Sequence, residues 1–376
     1  MFNDYNTKSS TFKTLFIFNP NKINIVFCLI FYKQNYLSCV RDDIKYSNNN
    51  AVYVNYYFVM NAQINSKSNI FTFMTTVICV MGGLINLFDS VLVELVFSGV
   101  LIVLIGLPHG ATDLLLFKHL ASNVNKNNYV KFFSVYLGLI MIYGIIWLLF
   151  PEIAFLLFII VSIYHFGQSN WNFIKVDNAI VKILMYLLSG SFVLLSPLCL
   201  HYETTIGVIT GITGVELLLM NDSIILFIPR TLLILNIWTL FYLYSKRCID
   251  KNELLLQISS LILLMVMYYS LPLILGFTVY FVFWHSYGSM IDQFRFIKSK
   301  SVHFTWFEYS KNALPFTIIA ILFIIFCVSI NYYFEFGYTL VQIFFVILSL
   351  FTLPHILLIE QVYGKMDSIF PQVNYN

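Results

Sequence analysis

Four histidines stand in or beside hydrophobic segments of this 376-residue chain. Their contexts are Leu107-Pro108-His109-Gly110, Tyr164-His165-Phe166-Gly167, Trp284-His285-Ser286 and Leu353-Pro354-His355. Ionisable groups inside a bilayer are expensive and mark function. One such histidine, taken alone, is most often an interfacial side chain with a hydrogen-bond partner. Four at one depth are most simply explained by a bound metal ion. One imidazole from each of four helices suits a single borderline metal, Fe(II) first and Zn(II) or Cu after it. Four neutral ligands leave positions open on a five- or six-coordinate iron, as chemistry with dioxygen requires. The four are therefore both the candidate metal ligands and the candidate catalytic residues. No HxxxH or HxxHH box of the two-iron kind is present, and HExxH is absent, which argues against a zincin protease. The six cysteines are scattered without CxxC spacing, so they signal neither a disulfide framework nor a thiolate site.

Polar residues near each histidine are candidates to orient its ring through the second nitrogen. Asp113 follows His109 by four residues and is expected to hold that ring. Gln168 and Ser169 follow His165 by three and four, Ser289 and Asp292 follow His285 by four and seven, and Thr352 precedes His355 by three. For each, a helix cap or a polar interface is the plainer alternative. Pro108 and Pro354 each precede a histidine, where loss of a backbone donor kinks a membrane helix. Tyr164, Phe166, Phe283, Trp284 and Tyr287 would wall a pocket for a long apolar substrate arriving from the bilayer, whereas Trp171 reads as interfacial belt.

The elements that must position these residues are membrane helices. The chain is 59% hydrophobic and 10% charged, with mean hydropathy +0.82. A soluble domain carries about 25% charged residues, so the expected fold is an all-α, polytopic membrane bundle. No basic run with interleaved aromatics points to nucleic acid. Spans of roughly 20 apolar residues fall near 70–88, 90–107, 129–149, 152–171, 179–200, 222–244, 253–270, 272–290, 313–331 and 338–358. That makes about ten transmembrane helices. The less apolar stretch 204–220, with three glycines, reads as interfacial or re-entrant.

Lys and Arg fall almost entirely in loops after even-numbered spans, including Lys118, Lys175, Lys246, Arg247, Lys298, Lys300 and Lys365. Loops after odd-numbered spans hold only acids such as Asp89, Glu152 and Glu335. Arg230, inside span six, is the exception. The positive-inside rule then puts both termini in the cytoplasm of a cell whose plasma (inner) membrane holds the protein. All four histidines lie late in even-numbered spans, hence at similar depth in the cytoplasmic half. His119, His201 and His303 fail that test. Residues 1–59 are rich in Asn, Lys and Tyr with no full span, and read as a poorly structured extension upstream of a true start at Met60. Residues 60–376 read as one membrane-embedded catalytic domain.

The elements Gly106-Leu-Pro-His-Gly-Ala-Thr-Asp113, Tyr164-His-Phe-Gly167, Trp284-His-Ser286 and Thr352-Leu-Pro-His355 resemble signatures of the Brp/Blh family of β-carotene 15,15′-dioxygenases. The likeness runs from about residue 70 to 360. It implies a membrane iron(II) enzyme that splits the central double bond of β-carotene with dioxygen into two all-trans-retinal molecules, often to supply a microbial rhodopsin. It also implies that His109, His165, His285 and His355 correspond to family histidines implicated in iron binding. The chain departs from the pattern twice. Ser289 stands where a second histidine often follows, and Gln168 where an acid often does. These departures keep open a divergent relative that oxidises another isoprenoid or lipid. A non-catalytic carotenoid- or retinal-binding protein is the alternative of another class. A metal transporter would need carboxylates along its path, and the spans offer only Glu94 and, if inserted, Glu216.

Overall fold

A computed structural model of the chain describes residues 68–121, 125–215 and 222–369. The expectations for residues 1–59 and for Met60 lie outside the described residues. Every described element is helical, and no strand occurs among the described residues. The helices are α1 (Ser68–Leu84), α2 (Val91–Leu120), α3 (Lys126–Leu149), α4 (Pro151–Trp171), α5 (Ala179–Leu200) and α6 (Tyr202–Thr213). They continue as α7 (Asp222–Ser245), α8 (Lys251–Ser270), α9 (Leu273–Lys300), α10 (Trp306–Tyr333) and α11 (Leu340–Ile369). All but α1 and α6 are long and apolar enough to cross a membrane, nine spans among the described residues. The protein is a polytopic membrane bundle. Helix α1 occupies the first expected span but is shorter than these nine. The described part of the stretch expected to be re-entrant is α6, which ends at Gly214 in a left-handed turn (φ 72°).

The helix starts obey a regularity. Helices α3, α5, α8 and α10 are N-capped by Asn125, Asn178, Asp250 and Thr305, each accepting from backbone N–H groups of its first turn. Thr305 and Glu308 complete a reciprocal capping box. These four caps follow the lysine-bearing loops. On the other side the turns are tight and use Pro151 and Pro272. Glu94, an acid in the first turn of α2, has a structural role. Its Oε1 accepts from the N–H groups of Ile274 and Leu275 at 3.0 and 3.2 Å, so α2 caps the start of α9. That satisfies donors which lipid could not.

Helices α4 and α5 form the closest pair in the bundle. A Cβ on Gly167 would overlap the Tyr186 carbonyl, and one on Gly190 would overlap the Ile163 carbonyl. Reciprocal glycines let the two backbones touch, as small residues do in membrane interfaces. This fixes the height of His165, two residues before Gly167.

Three histidine-bearing helices run further than the expected spans at their C-terminal ends. Helices α2, α9 and α11 continue past their histidines to Leu120, Lys300 and Ile369. Their extensions bury Leu116, Phe296, Ile297, Ile359, Val362 and Tyr363 in a second apolar core that also takes in Phe304 and Tyr309. Lys365 Nζ donates to the Leu120 carbonyl at 2.5 Å and ties the ends of two of them. His285 and His355 thus sit inside continuous helix, and His109 just before a turn at Ala111–Thr112 after which helix resumes, and none of the three ends its helical segment as the apolar runs suggested. Hydropathy marks where lipid stops; helix continues wherever a protein partner covers it.

Candidate metal centre

His109 and His285 ride on unusual backbone. The turn Ile102–Gly106, just before Pro108 and His109, is π-helical, and so is Tyr280–Ser286, which contains His285. Pro108 has no N–H to give to the preceding turn. Such wide turns recur at functional sites, because the extra residue re-aims the side chains that follow. The two π-turns meet. A Cβ on Gly106 would come within 2.9 Å of the Phe281 ring, so glycine is required for that approach. Helix α1 locks the second π-turn from outside. Thr72 donates to the Phe283 carbonyl at 3.1 Å, and Trp284 Nε1 donates to Thr76 at 3.0 Å.

The four histidine rings converge. Ring centroids stand 5.2 Å apart for His109 and His285, and 4.9 Å for His165 and His285. His355 completes the ring at 4.7 Å from His109 and 5.6 Å from His165. One nitrogen from each of His109, His165 and His285 lies within 4.8 Å of the others. Two nitrogens at about 2.1 Å from one ion stand at most about 4.2 Å apart, so small ring rotations close the set. All four rings are buried.

Buried polar atoms are normally paired. Here His109 Nε2, both nitrogens of His165, His285 Nδ1 and His355 Nε2 are buried with no hydrogen-bond partner among the described residues. Orphan nitrogens on four neighbouring imidazoles are the donors that a bound cation would pair, so the residues present fit a metal.

Two of the rings are oriented by other side chains. His355 Nδ1 bonds Asp113 Oδ1 at 2.7 Å, and Tyr136 donates to Asp113 Oδ2 at 2.8 Å. Asp113 therefore supports His355, across the bundle, and not His109 on its own helix. The chain turns at Ala111–Thr112 between them, which breaks the expected i, i+4 alignment. His109 Nδ1 instead faces the Gln293 amide at 3.1 Å. Gln293 also meets Thr112 at 2.7 Å and Tyr309 at 2.6 Å. The Thr112 hydroxyl lies 2.9 Å from the His109 carbonyl.

The other expected ring partners are placed elsewhere. Gln168 donates to Glu360 at 2.5 Å and links α4 to α11 without touching His165. Ser289 is buried one turn beyond His285, close to Tyr363 together with Ser169, and is not among the grouped metal donors. Asp292 pairs with Arg295 at 3.3 Å. Thr352 donates back to the Leu348 carbonyl. Phe166 meets His285 edge-on at 4.8 Å, and Phe281, which the sequence did not single out, stacks on the same ring. Trp171 is buried in the main core, not placed in an interfacial belt. His201 Nε2 bonds the Tyr268 carbonyl and His119 bonds the Leu115 carbonyl, as befits histidines outside the cluster.

Two cavities are lined by neighbours of the histidines in the chain, though by none of the four rings. An apolar one of about 120 Å³ lies between α3, α4 and α11. Val161 and Leu353 in its wall are within one turn of His165 and His355, and Ile142 and Leu157 at its margin are exposed to lipid. A more polar one of about 160 Å³ is lined by Asn170, Ser189, Gln257, Ser260, Trp284 and Gly288.

The sequence profile of the β-carotene 15,15′-dioxygenase family matches residues 100–363. The chain belongs to this family. The match takes in all four histidines together with Asp113, Gln293 and Tyr309. A β-carotene 15,15′-dioxygenase from the uncultured marine bacterium 66A03 is 36% identical over 73 residues, 19% of this chain. The chain aligns with only 26% of that relative's length. No solved structure matches the chain.

Proposed function

We propose that this member of the β-carotene 15,15′-dioxygenase family is an iron(II)-dependent enzyme that cleaves the central double bond of β-carotene. Dioxygen supplies one oxygen atom to each carbon of that bond, giving two all-trans-retinal molecules with no other co-substrate. The observation that carries this reading is the cluster of four buried imidazoles with orphan nitrogens, inside the segment that the family profile matches. His109, His165, His285 and His355 would hold the metal, with His355 beside the tightest group of donors. When bound, iron supplies the redox chemistry that lets dioxygen react with a closed-shell polyene.

The chain's own residues do the rest. Asp113 keeps the proton of His355 on Nδ1 and turns Nε2 toward the cluster. Phe166 and Phe281 wall the His285 side and keep water out. The apolar cavity between α3, α4 and α11, with Val161 and Leu353 within about a turn of His165 and His355, is where a lipid-dissolved polyene would approach the centre. No proton need be removed from the polyene, so no general base is assigned. The lysine and arginine distribution supports cytoplasmic termini and a centre in the cytoplasmic half of a bacterial or archaeal plasma membrane. Retinal released there would be at hand for a rhodopsin.

The test is expression in a bacterium that accumulates β-carotene. Loss of colour with gain of retinal is the expected result. If the protein accumulates in the membrane with iron bound and the colour stays, β-carotene cleavage is wrong. The Ser289 departure would then favour another isoprenoid substrate or a binding role.

A further inference from the structure

We propose that Gln293 sets the tautomer of His109, presenting its amide oxygen to the ring and so leaving Nε2 free to bind metal. The inference rests on the metal reading above and adds a residue to it. It follows from counting donors and acceptors in one closed network.

His109 Nε2 is buried and faces the cluster without a partner, while Nδ1 faces the Gln293 amide at 3.1 Å. A neutral imidazole carries its proton on one nitrogen only. If the amide NH2 points at Nδ1, that nitrogen accepts, and Nε2 must carry the proton. The result is a buried N–H aimed into the cluster, with no acceptor and in the place of a metal. If the amide oxygen points at Nδ1, the ring donates to it and the Nε2 lone pair faces the other histidines.

The remaining groups fit the second arrangement. The amide atom remote from His109 meets two hydroxyls, Thr112 at 2.7 Å and Tyr309 at 2.6 Å. As an NH2 it has two protons, one for each hydroxyl oxygen. The Thr112 hydroxyl then keeps its own proton for the His109 carbonyl at 2.9 Å. With oxygen in that place, Thr112 would have one proton for two acceptors, the amide oxygen and the His109 carbonyl. One contact runs the other way, since the amide atom facing the ring also lies 3.5 Å from the His109 carbonyl, but that is the outer limit of a hydrogen bond, and oxygen and NH2 are nearly the same size. Gln293 is 1% exposed and Thr112 is 0% exposed, so no solvent can exchange for these bonds. Gln293 is a positioning residue acting through His109.

Three variants separate this role from packing. Gln293→Glu, ionised, offers only acceptors, one oxygen for the His109 N–H and the other for the Tyr309 hydroxyl, with the Thr112 proton shared between that oxygen and the His109 carbonyl. Gln293→Leu and Gln293→Met keep bulk and offer neither. Full-length protein in detergent, stripped of metal, is titrated anaerobically with Co(II), and separately with Fe(II). The visible Co(II) bands report ligand number without any turnover. The expected result is that Gln293→Glu binds at least as tightly as the natural chain with the same bands. Both apolar variants should weaken binding about 10–100-fold and shift the bands. Two apolar variants guard against one that fails to fold, and thermal unfolding of the metal-free proteins identifies such a failure.

Equal affinity in all folded variants overturns the proposal, and so does an apolar variant that outbinds Gln293→Glu. Equal loss in Gln293→Glu and the folded apolar variants overturns it as well, because an acceptor alone would then not suffice. If the natural chain binds neither Co(II) nor Fe(II), the metal reading itself fails, a result distinct from all of these.

Discussion

His109 and His355 stand with their rings 4.7 Å apart, yet they are held by unlike means. His355 leans on a carboxylate, Asp113, which is itself held by Tyr136. His109 leans on an amide, Gln293, set between Thr112 and Tyr309. An ionised carboxylate can only accept, so it permits one tautomer of its histidine. An amide can donate or accept, so the hydroxyls around it must decide. Among the described residues, Asp113 is the one acid bonded to a ring of the cluster. A buried charge without a counter-charge is destabilising, and one carboxylate offsets only half the charge of a divalent ion.

The harshest way to break this comparison is to remove the rings. Purified protein should hold about one iron per chain. His109→Ala and His355→Ala should each lose most of it, along with retinal formation, while His201→Ala and His303→Ala keep both. His355 is the member outside the tightest group of donors. Full iron content in His355→Ala, with loss in His109→Ala, would reduce the ligand set to three and make the Asp113 support a structural contact.

Asp113→Asn comes next. It keeps the size of the side chain and removes the charge, so His355 loses a partner that can only accept. Metal affinity should fall about 10–100-fold with helical content unchanged. The same titration on Gln293→Glu moves charge the other way, onto the His109 side. If Asp113→Asn binds as the natural chain does, charge is not what distinguishes the two supports.

A second contrast explains what was legible in the sequence. Helices α9 and α10 are both 28 residues long and adjacent in the chain. The best window of α9 has mean hydropathy 1.2 and is 67% buried, whereas that of α10 has 2.8 and is 11% buried. In lipid the most apolar helix faces outward and the more polar one is shielded by protein. The all-helical class and nine of the ten expected spans were therefore readable from hydropathy, and the four histidines stood out as polar residues on apolar runs. Gln293, Tyr136 and Tyr309 did not. Gln293 lies in the part of α9 that looked like a loop, because Asp292 and Arg295 flank it. Tyr136 is one of 25 tyrosines, and nothing local marks the one that reaches Asp113. The π-turns carry no periodic signature at all. Asp113 was found but assigned to the wrong ring, since i, i+4 spacing holds only while the helix is unbroken.

The mildest prediction concerns Tyr136, which touches neither a histidine nor the cavity between α3, α4 and α11. Its hydroxyl donates to the Asp113 oxygen that His355 does not use. Tyr136→Phe leaves that oxygen buried and unpaired. A hydrogen bond to a charged group is worth roughly 1.5–3 kcal/mol, and most of that loss should fall on the folded protein whether or not metal is present. The thermal midpoint should drop in the metal-free and metal-loaded forms alike. Metal affinity should fall by less than about 10-fold, below the effect of Asp113→Asn, because Asp113 still holds His355. The Co(II) bands should stay in place. The two variants must therefore separate, one moving affinity and the other stability. If Tyr136→Phe lowers affinity as far as Asp113→Asn does, the carboxylate cannot hold His355 unaided. The His355 side would then be a relay of several groups, as the His109 side is, and the contrast between a one-residue and a three-residue support would disappear.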